Sequence, residues 1–481
     1  MSARSPQSPP LMRPLGVPPG VLRQLAVAHP ERYPALLDSV AEGPLGQRSI
    51  LAAAPREALW LDRSGRQHSL GVPIEVGGFL DSLERWWLRE RDVGSSPAAG
   101  ECPAYGCGWV VFIGYEMAQE VEPTLSLPPT PLPWNAFALR TRCALVHERA
   151  SDEVYAVAEP DADAALEMLC ADAQAAARAL DTDRTEPAPG AYLVREEDPA
   201  RYLERVQRAK EYIRAGEIYQ ANLSRPWHIE PARGAGSARP AARSFDVGQL
   251  YARLCAQNPA PFAALVQWGG VSLLSSSPER LVRVCGQEVQ TRPIAGTRPR
   301  SRRAAAEAAE TAALVSHPKE RAEHIMLIDL ERNDLGRVCE AGSVRVDELM
   351  VTETYAHVHH IVSNVRGRLR PGVTPVGALR AVFPGGTITG CPKFRCMQII
   401  AELEGEGRGA YTGSFGFLSR DGLMDLNILI RTMAVSGERV TLRAGAGIVA
   451  DSDPQRELEE TRAKARGLLA VFEPTLGERV A

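Results

Sequence analysis

The sequence predicts a mixed α+β fold in which large antiparallel β-sheets are flanked by helices. Two observations carry that expectation. Strand-length apolar runs and helix-length amphipathic runs follow one another irregularly, without the regular strand–helix period of a doubly wound sheet and without a repeat. The chain has 481 residues, 44% hydrophobic and 24% charged, which is the composition of a soluble globular protein with room for one very large domain or two to three ordinary ones. A net charge of −4 leaves no basic excess for nucleic acid. The longest apolar stretches, such as residues 109–113, fall far short of the roughly 20 that span a bilayer. Nine scattered cysteines fit reduced thiols, and a cytoplasmic location is expected.

Taken in order, residues 1–20 are rich in Pro and Ser with no apolar stretch of signal-peptide type, so they are expected to be disordered. Residues 21–190 read as a β-rich N-terminal region, with strand-like runs at 110–114 and 144–157 and a proline-heavy loop at 123–134. An Ala-rich helix at 161–181 then leads to a linker at 182–190. Residues 195–475 form the second region. It opens with an amphipathic helix at 199–215, closed by Gly216, and a strand at 218–225. A Pro/Gly/Ala/Arg stretch at 231–246 reads as a surface insertion, and 265–274 and 426–435 have the length and composition of strands.

Four lysines stand among 55 basic residues: Lys210, Lys319, Lys393 and Lys464. A lysine that persists in so arginine-rich a chain is a candidate for a task that a planar guanidinium cannot perform. Two segments repeat one device. Glu320 and Glu323, and again Glu457 and Glu460, are spaced three residues apart, which puts both carboxylates of each pair on one helix face. Two such faces turned toward each other would make an oxygen site suited to Mg2+ with water and an anionic substrate. Lys464 falls on the same face as Glu460 and could hold a second carboxylate. The segments 444–449 (AGAGIV) and 384–393 (PGGTITGCPK) are small-residue turns where backbone amides can approach an anion, and neither matches a nucleotide-binding fingerprint. Glu279 and Arg431 interrupt apolar strands, and His360 precedes one. A carboxyl in that setting can have a raised pKa and act as a general acid.

Together these segments resemble the chorismate-utilising enzymes, the large subunits of aminodeoxychorismate synthase and anthranilate synthase. The similarity is carried by SSSPERL at 275–281, RPIAGTR at 292–298, KERAEHIMLIDLERNDLG at 319–336, VHHIVS at 358–363, the 385–393 loop, residues 425–432 and residues 444–464. The resemblance implies a fold of two antiparallel sheets packed together. It implies Mg2+ held by Glu323 and Glu460, with Glu320 and Glu457 supporting through water. Lys464 and the amides of Gly445 and Gly447 would assist the ring carboxylate of chorismate, and Tyr411 and Arg431 the enolpyruvyl carboxylate. Glu279 would be the general acid beside the leaving hydroxyl, with His360 and Thr387 lining the ring. Gln220 stands where the isochorismate branch carries a water-activating lysine, which points to ammonia as nucleophile. The chain carries no Gly-rich cysteine elbow of a glutaminase, so a glutamine amidotransferase partner is implied.

Two ammonia-using branches remain. Many aminodeoxychorismate synthases carry a lysine nucleophile in the PIKGT string, where this chain has Ala295, as anthranilate synthases do. GSFGF at 413–417, DLNI at 425–428, TGCP at 389–392 and the 30–39 opening look more like aminodeoxychorismate synthases. In the anthranilate branch, positions matching Leu37, Ser39, Asn258 and Pro259 belong to a tryptophan pocket.

Overall fold

The computed structural model describes residues 10–41, 43, 45–92, 107–180, 192–232, 245–299, 318–354 and 358–473. Two large antiparallel sheets dominate it, of 12 and 11 strands. The first runs in the order Leu11–Pro14, Glu153–Ala158, Cys143–Glu148, Arg48–Ala53, Ala35–Asp38, Phe262–Trp268, Val271–Ser277, Thr432–Ser436, Arg439–Ile448, Gln220–Pro231 and Tyr192–Glu196, with Gly390–Cys391 pairing Gln220–Pro231. The second runs Ile294–Pro299, Val358–Arg368, Glu288–Arg292, Arg280–Cys285, Met424–Ile428, Ser414–Ser419, Gly108–Ile113, Trp134–Thr141, Glu57–Asp62 and Gln67–Leu70, with Arg345–Thr354 on Val358–Arg368.

The sheets face each other across an apolar seam. Val110, Phe112 and Phe137 of the second meet Ala264, Val266 and Leu273 of the first, and the Phe112 and Phe137 rings stack at 5.3 Å. Helices cover the outer faces. Gly20–Ala28, Asp163–Leu180, Val247–Gln257 and Pro454–Leu469 bury their apolar stripes on the first sheet. Phe79–Glu90, Pro318–Gly336 and Pro375–Val382 do so on the second, while Lys393–Glu404 lays Cys396, Ile399 and Ile400 against the Gln220–Pro231 end of the first. Three helices begin with the same pairing of a capping side chain and a proline. Asp198 accepts from the Ala200 amide ahead of Pro199, Thr374 from Gly377 ahead of Pro375, and Asp453 from Arg456 ahead of Pro454.

Four sequence expectations differ from this architecture. Disorder was expected through residue 20, yet Leu11–Pro14 is a strand on Glu153–Ala158, with Leu11, Leu15 and Val17 packed on the core beneath. It is an edge strand, where the missing amide of Pro14 is tolerated. The 265–274 stretch is a hairpin rather than one strand, turned at Gly269 and Gly270 with φ of 58° and 78°. The 426–435 stretch is two strands in different sheets. Finally, the 21–190 and 195–475 regions share both sheets: Ala35–Asp38 pairs Phe262–Trp268, and Gly108–Ile113 pairs Ser414–Ser419. The 182–190 linker and most of the 231–246 insertion lie outside the described residues.

Candidate active site at the crossing of the two sheets

The chain passes between the sheets twice at one place. After Val271–Ser277 it leaves the first sheet through Pro278 and Glu279 to begin Arg280–Cys285 in the second. After Met424–Ile428 it returns through Arg431 to begin Thr432–Ser436. The two crossings are bonded together. The Ser276 amide donates to the Arg431 carbonyl at 3.0 Å, and the Ile428 amide to the Glu279 carbonyl at 3.0 Å. Arg431 itself takes φ of 52°, a left-handed backbone that strains a non-glycine residue by about 1 kcal/mol or more. So the glutamate and arginine singled out in the sequence occupy adjacent crossovers.

Glu279 is buried, and burial pushes its carboxyl up to about 8. The Ile294 amide donates to its Oε1 at 3.3 Å and, with the neighbouring Thr387 hydroxyl, favours the charged form. Glu331 nearby opposes ionisation, and the Lys464 ammonium assists it. The Thr387 hydroxyl stands beside Glu279, yet it is buried without a well-formed hydrogen bond, as an atom awaiting a ligand would be. At neutral pH Glu279 therefore keeps its proton and can deliver it to a leaving oxygen.

Arg431 has no carboxylate partner among the described residues, and burial lowers its proton affinity while Tyr411 raises it. Arg431 is half-buried, and a partly desolvated guanidinium without a carboxylate partner can receive an anion. Tyr411 reaches toward the first sheet, because a Cβ added at Gly445 would lie 2.7 Å from its hydroxyl. A Cβ at Gly447 would lie 2.4 Å from the Gln220 Nε2, so both glycines leave space that Tyr411 and Gln220 use. Ser224 opposite Gly445 and Asn222 opposite Gly447 fix this register. The Gln220 Oε1 is buried with no partner. Lys464 donates to the Gly445 carbonyl at 3.0 Å and pairs with Glu460 at 2.8 Å, which joins these residues to Glu279.

His360 is buried on Val358–Arg368, opposite Thr297 and Glu353. Ala295 pairs Ile361 through its backbone, and its side chain and that of Glu320 lie outside the described residues. Glu323 is half-buried, Glu457 buried and Glu460 exposed. Among the described residues no three His, Cys, Asp or Glu side chains gather into a cation cluster. The four glutamates expected to hold a metal would suit Mg2+, an ion content with one or two carboxylates plus water and substrate oxygens.

Two groups of residues escaped the sequence. Glu404, Arg408 and Arg443 form a buried ion cluster, with Arg408 bonded to Glu404 at 2.6 Å and its guanidinium over the Tyr411 ring at 5.5 Å. The spacing of four between Glu404 and Arg408 on a helix end was a usable signal. The second is Glu331. Leu37 and Ser39 line a separate cavity of about 340 Å3 with Pro261, Phe262 and Arg280, which includes neither Glu279 nor Arg431. Asn258, also expected there, instead bonds the Ser276 hydroxyl at 2.7 Å, and neither it nor Pro259 lines the cavity. A larger cavity of about 610 Å3 reaches Tyr411 and Thr432 but not Glu279, Gln220 or Lys464.

Residues 56–470 match the chorismate binding enzyme family, and the chain belongs to it. It is thus a chorismate-utilising enzyme. Over 446 residues it is 38% identical to an anthranilate synthase component I-like protein of Synechocystis sp., covering 92% of this chain and 85% of the relative. Over 399 residues it is 42% identical to anthranilate synthase component 1 of Streptomyces coelicolor (78% and 74% covered). Over 456 residues it is 37% identical to aminodeoxychorismate synthase of Streptomyces griseus, covering 92% of this chain and 61% of that one. The crystal structure of anthranilate synthase component I from Streptococcus pneumoniae superposes with a TM-score of 0.74 at 31% identity, covering 89% of this chain and 93% of that one. The menaquinone-specific isochorismate synthase of Escherichia coli, at 18% identity and a TM-score of 0.67 over 98% of this chain and 97% of that one, shares the fold. Among the described residues no helix is long and apolar enough to cross a membrane.

Proposed function

We propose that this chain is an aminodeoxychorismate synthase component I, replacing the C4 hydroxyl of chorismate with ammonia from a glutamine amidotransferase partner, in the cytoplasm. The observation that carries ammonia as nucleophile is Gln220. Its amide is buried against Gly447 and cannot take a proton from water. Glu279 protonates the leaving hydroxyl, Thr387 and His360 orient it, and Arg431 with Tyr411 holds the enolpyruvyl carboxylate. Glu323 and Glu460, backed by Glu320 and Glu457, would hold Mg2+, which when bound neutralises the ring carboxylate that Lys464 and the Gly445 and Gly447 amides also face. Attack at C4 is supported by GSFGF at 413–417, DLNI at 425–428 and TGCP at 389–392.

A second reading, anthranilate synthase component I with attack at C2, is favoured by Ala295, which offers no nucleophile, and by the names of most relatives. Both readings require ammonia. Chorismate and Mg2+ with ammonium salt should be consumed, and glutamine without a partner should give nothing. Isochorismate formed in ammonia-free buffer would contradict both.

A further inference from the structure

Beneath the site lies a carboxyl to which the proposed chemistry gives no role. Glu331 is only 4% exposed, on the inner face of the helix Pro318–Gly336. Its Oε1 accepts the Gly386 amide at 3.3 Å. Gly386 precedes Thr387, and a Cβ there would strike the Leu330 side chain at 2.5 Å, so the turn rests directly on this helix. One helical turn on, the Asp334 carboxylate receives Lys393 at 2.5 Å, and the same ammonium donates to the carbonyls of Val382 at 3.0 Å and Pro384 at 2.8 Å. Lys393 thereby ties both the start and the end of the glycine-rich turn to the helix, which is a task for three diverging donors rather than a planar fork.

We propose that Glu331 is a positioning residue of the reaction, supporting from below the turn that presents Thr387 to Glu279 and standing as the second carboxyl that keeps the acid's proton in place. The inference rests on the acid role of Glu279 proposed above. The groups facing Glu331 are Asp334 on its own helix, Lys393 at the start of Lys393–Glu404, Gly386 in the turn, Thr291 on the strand Glu288–Arg292, and Glu279 itself. Burial and Asp334 raise its proton affinity and Lys393 opposes them. Those facing Glu279 are Thr387, the Ile294 amide, Glu331 and Lys464. Both carboxyls are buried against the Gly386–Thr387 turn, and in a medium of low dielectric two such groups do not both ionise readily, so a charge on Glu331 holds the proton on Glu279 to higher pH.

The test is the pH profile of kcat with ammonium as nitrogen donor. Glu331→Gln keeps an oxygen for the Gly386 amide and removes the charge. Its high-pH limb, where Glu279 loses the proton, should move down by roughly 0.5 to 1 pH unit, whatever the height of the plateau. A limb that stays in place or moves up overturns the proposal, because a purely structural support would change the plateau alone. Glu279→Gln is run beside it. Activity surviving there refutes the acid role itself, whereas its loss together with an unmoved limb in Glu331→Gln refutes only the role of Glu331. Should Glu331→Gln not fold, the infrared carbonyl band of buried protonated carboxyls in the wild-type protein decides. Two linked titration steps that become one in Glu279→Gln support the pairing, and a single independent step in the wild type overturns it.

Discussion

Glu279→Gln should separate stability from turnover in a pH-dependent way. Burial raises the Glu279 carboxyl from 4.5 to about 8 in the folded protein. Because the folded value is the higher one, its contribution to stability is fully present below 4.5 and is lost as pH rises to about 8. Across that window the unfolded chain releases the proton while the native chain retains it. Stability then falls by about 1.4 kcal/mol for each pH unit, roughly 5 kcal/mol in all. Glutamine has the shape of the protonated acid and nothing to ionise. Thermal melts of the variant and the wild type should therefore nearly coincide near pH 5 and diverge toward pH 8.5, with the variant the more stable. Turnover with chorismate, Mg2+ and ammonium should fall by about 100- to 10,000-fold, the usual contribution of a positioned acid. Melting curves with identical pH dependence, or a variant that still turns over, would refute the assignment of Glu279.

Four other substitutions probe the remaining parts. Glu460→Ala and Glu323→Ala should abolish turnover with melting temperatures near wild type, since Glu460 is exposed and Glu323 half-buried; activity in excess EDTA, or in either variant, would contradict the Mg2+ assignment. Arg431→Met removes a half-buried cation with no carboxylate partner among the described residues, so its melting temperature should not drop. Its KM for chorismate should rise by about 10- to 100-fold, the effect of losing a charged hydrogen bond, and an unchanged KM would place the substrate elsewhere. Gly447→Ala sets a methyl 2.4 Å from the Gln220 Nε2, and steady-state kinetics should show at least a tenfold loss in turnover with ammonium, as expected when a positioned group is displaced.

Most of the site was legible because its chemistry needs polar residues where apolar ones belong. Arg431 at the end of the apolar 428–430 run and Glu279 after a serine run both broke a pattern, and both lie at the crossing of the sheets. The crossing itself was not legible. On both sides of Arg431 the 426–435 stretch is largely apolar while it changes sheets, since both halves face core, and alternation within a strand says nothing about which sheet it joins. The hairpin at Gly269 and Gly270 disappeared into an apolar run for the same reason. Leu11–Pro14 was read as disordered from its prolines, although the single Pro14 is compatible with an edge. Glu331 was hidden in the charged string ERND, which reads as a solvated face. Only the packing of its helix beneath the Gly386 turn shows that two of those charges, Glu331 and Asp334, point inward. Equally, the pairing of Gln220 with Gly447 depends on a register between strands more than 200 residues apart, which no local pattern contains.

The position of the new nitrogen tests the account most directly. Purified chain, chorismate, Mg2+ and 15N-ammonium are incubated, and the product is resolved with and without an aminodeoxychorismate lyase. Labelled 4-amino-4-deoxychorismate is expected, converted to 4-aminobenzoate only when the lyase is added. Fluorescent 2-aminobenzoate, released together with pyruvate and without a second enzyme, would contradict it and establish anthranilate synthesis in its place.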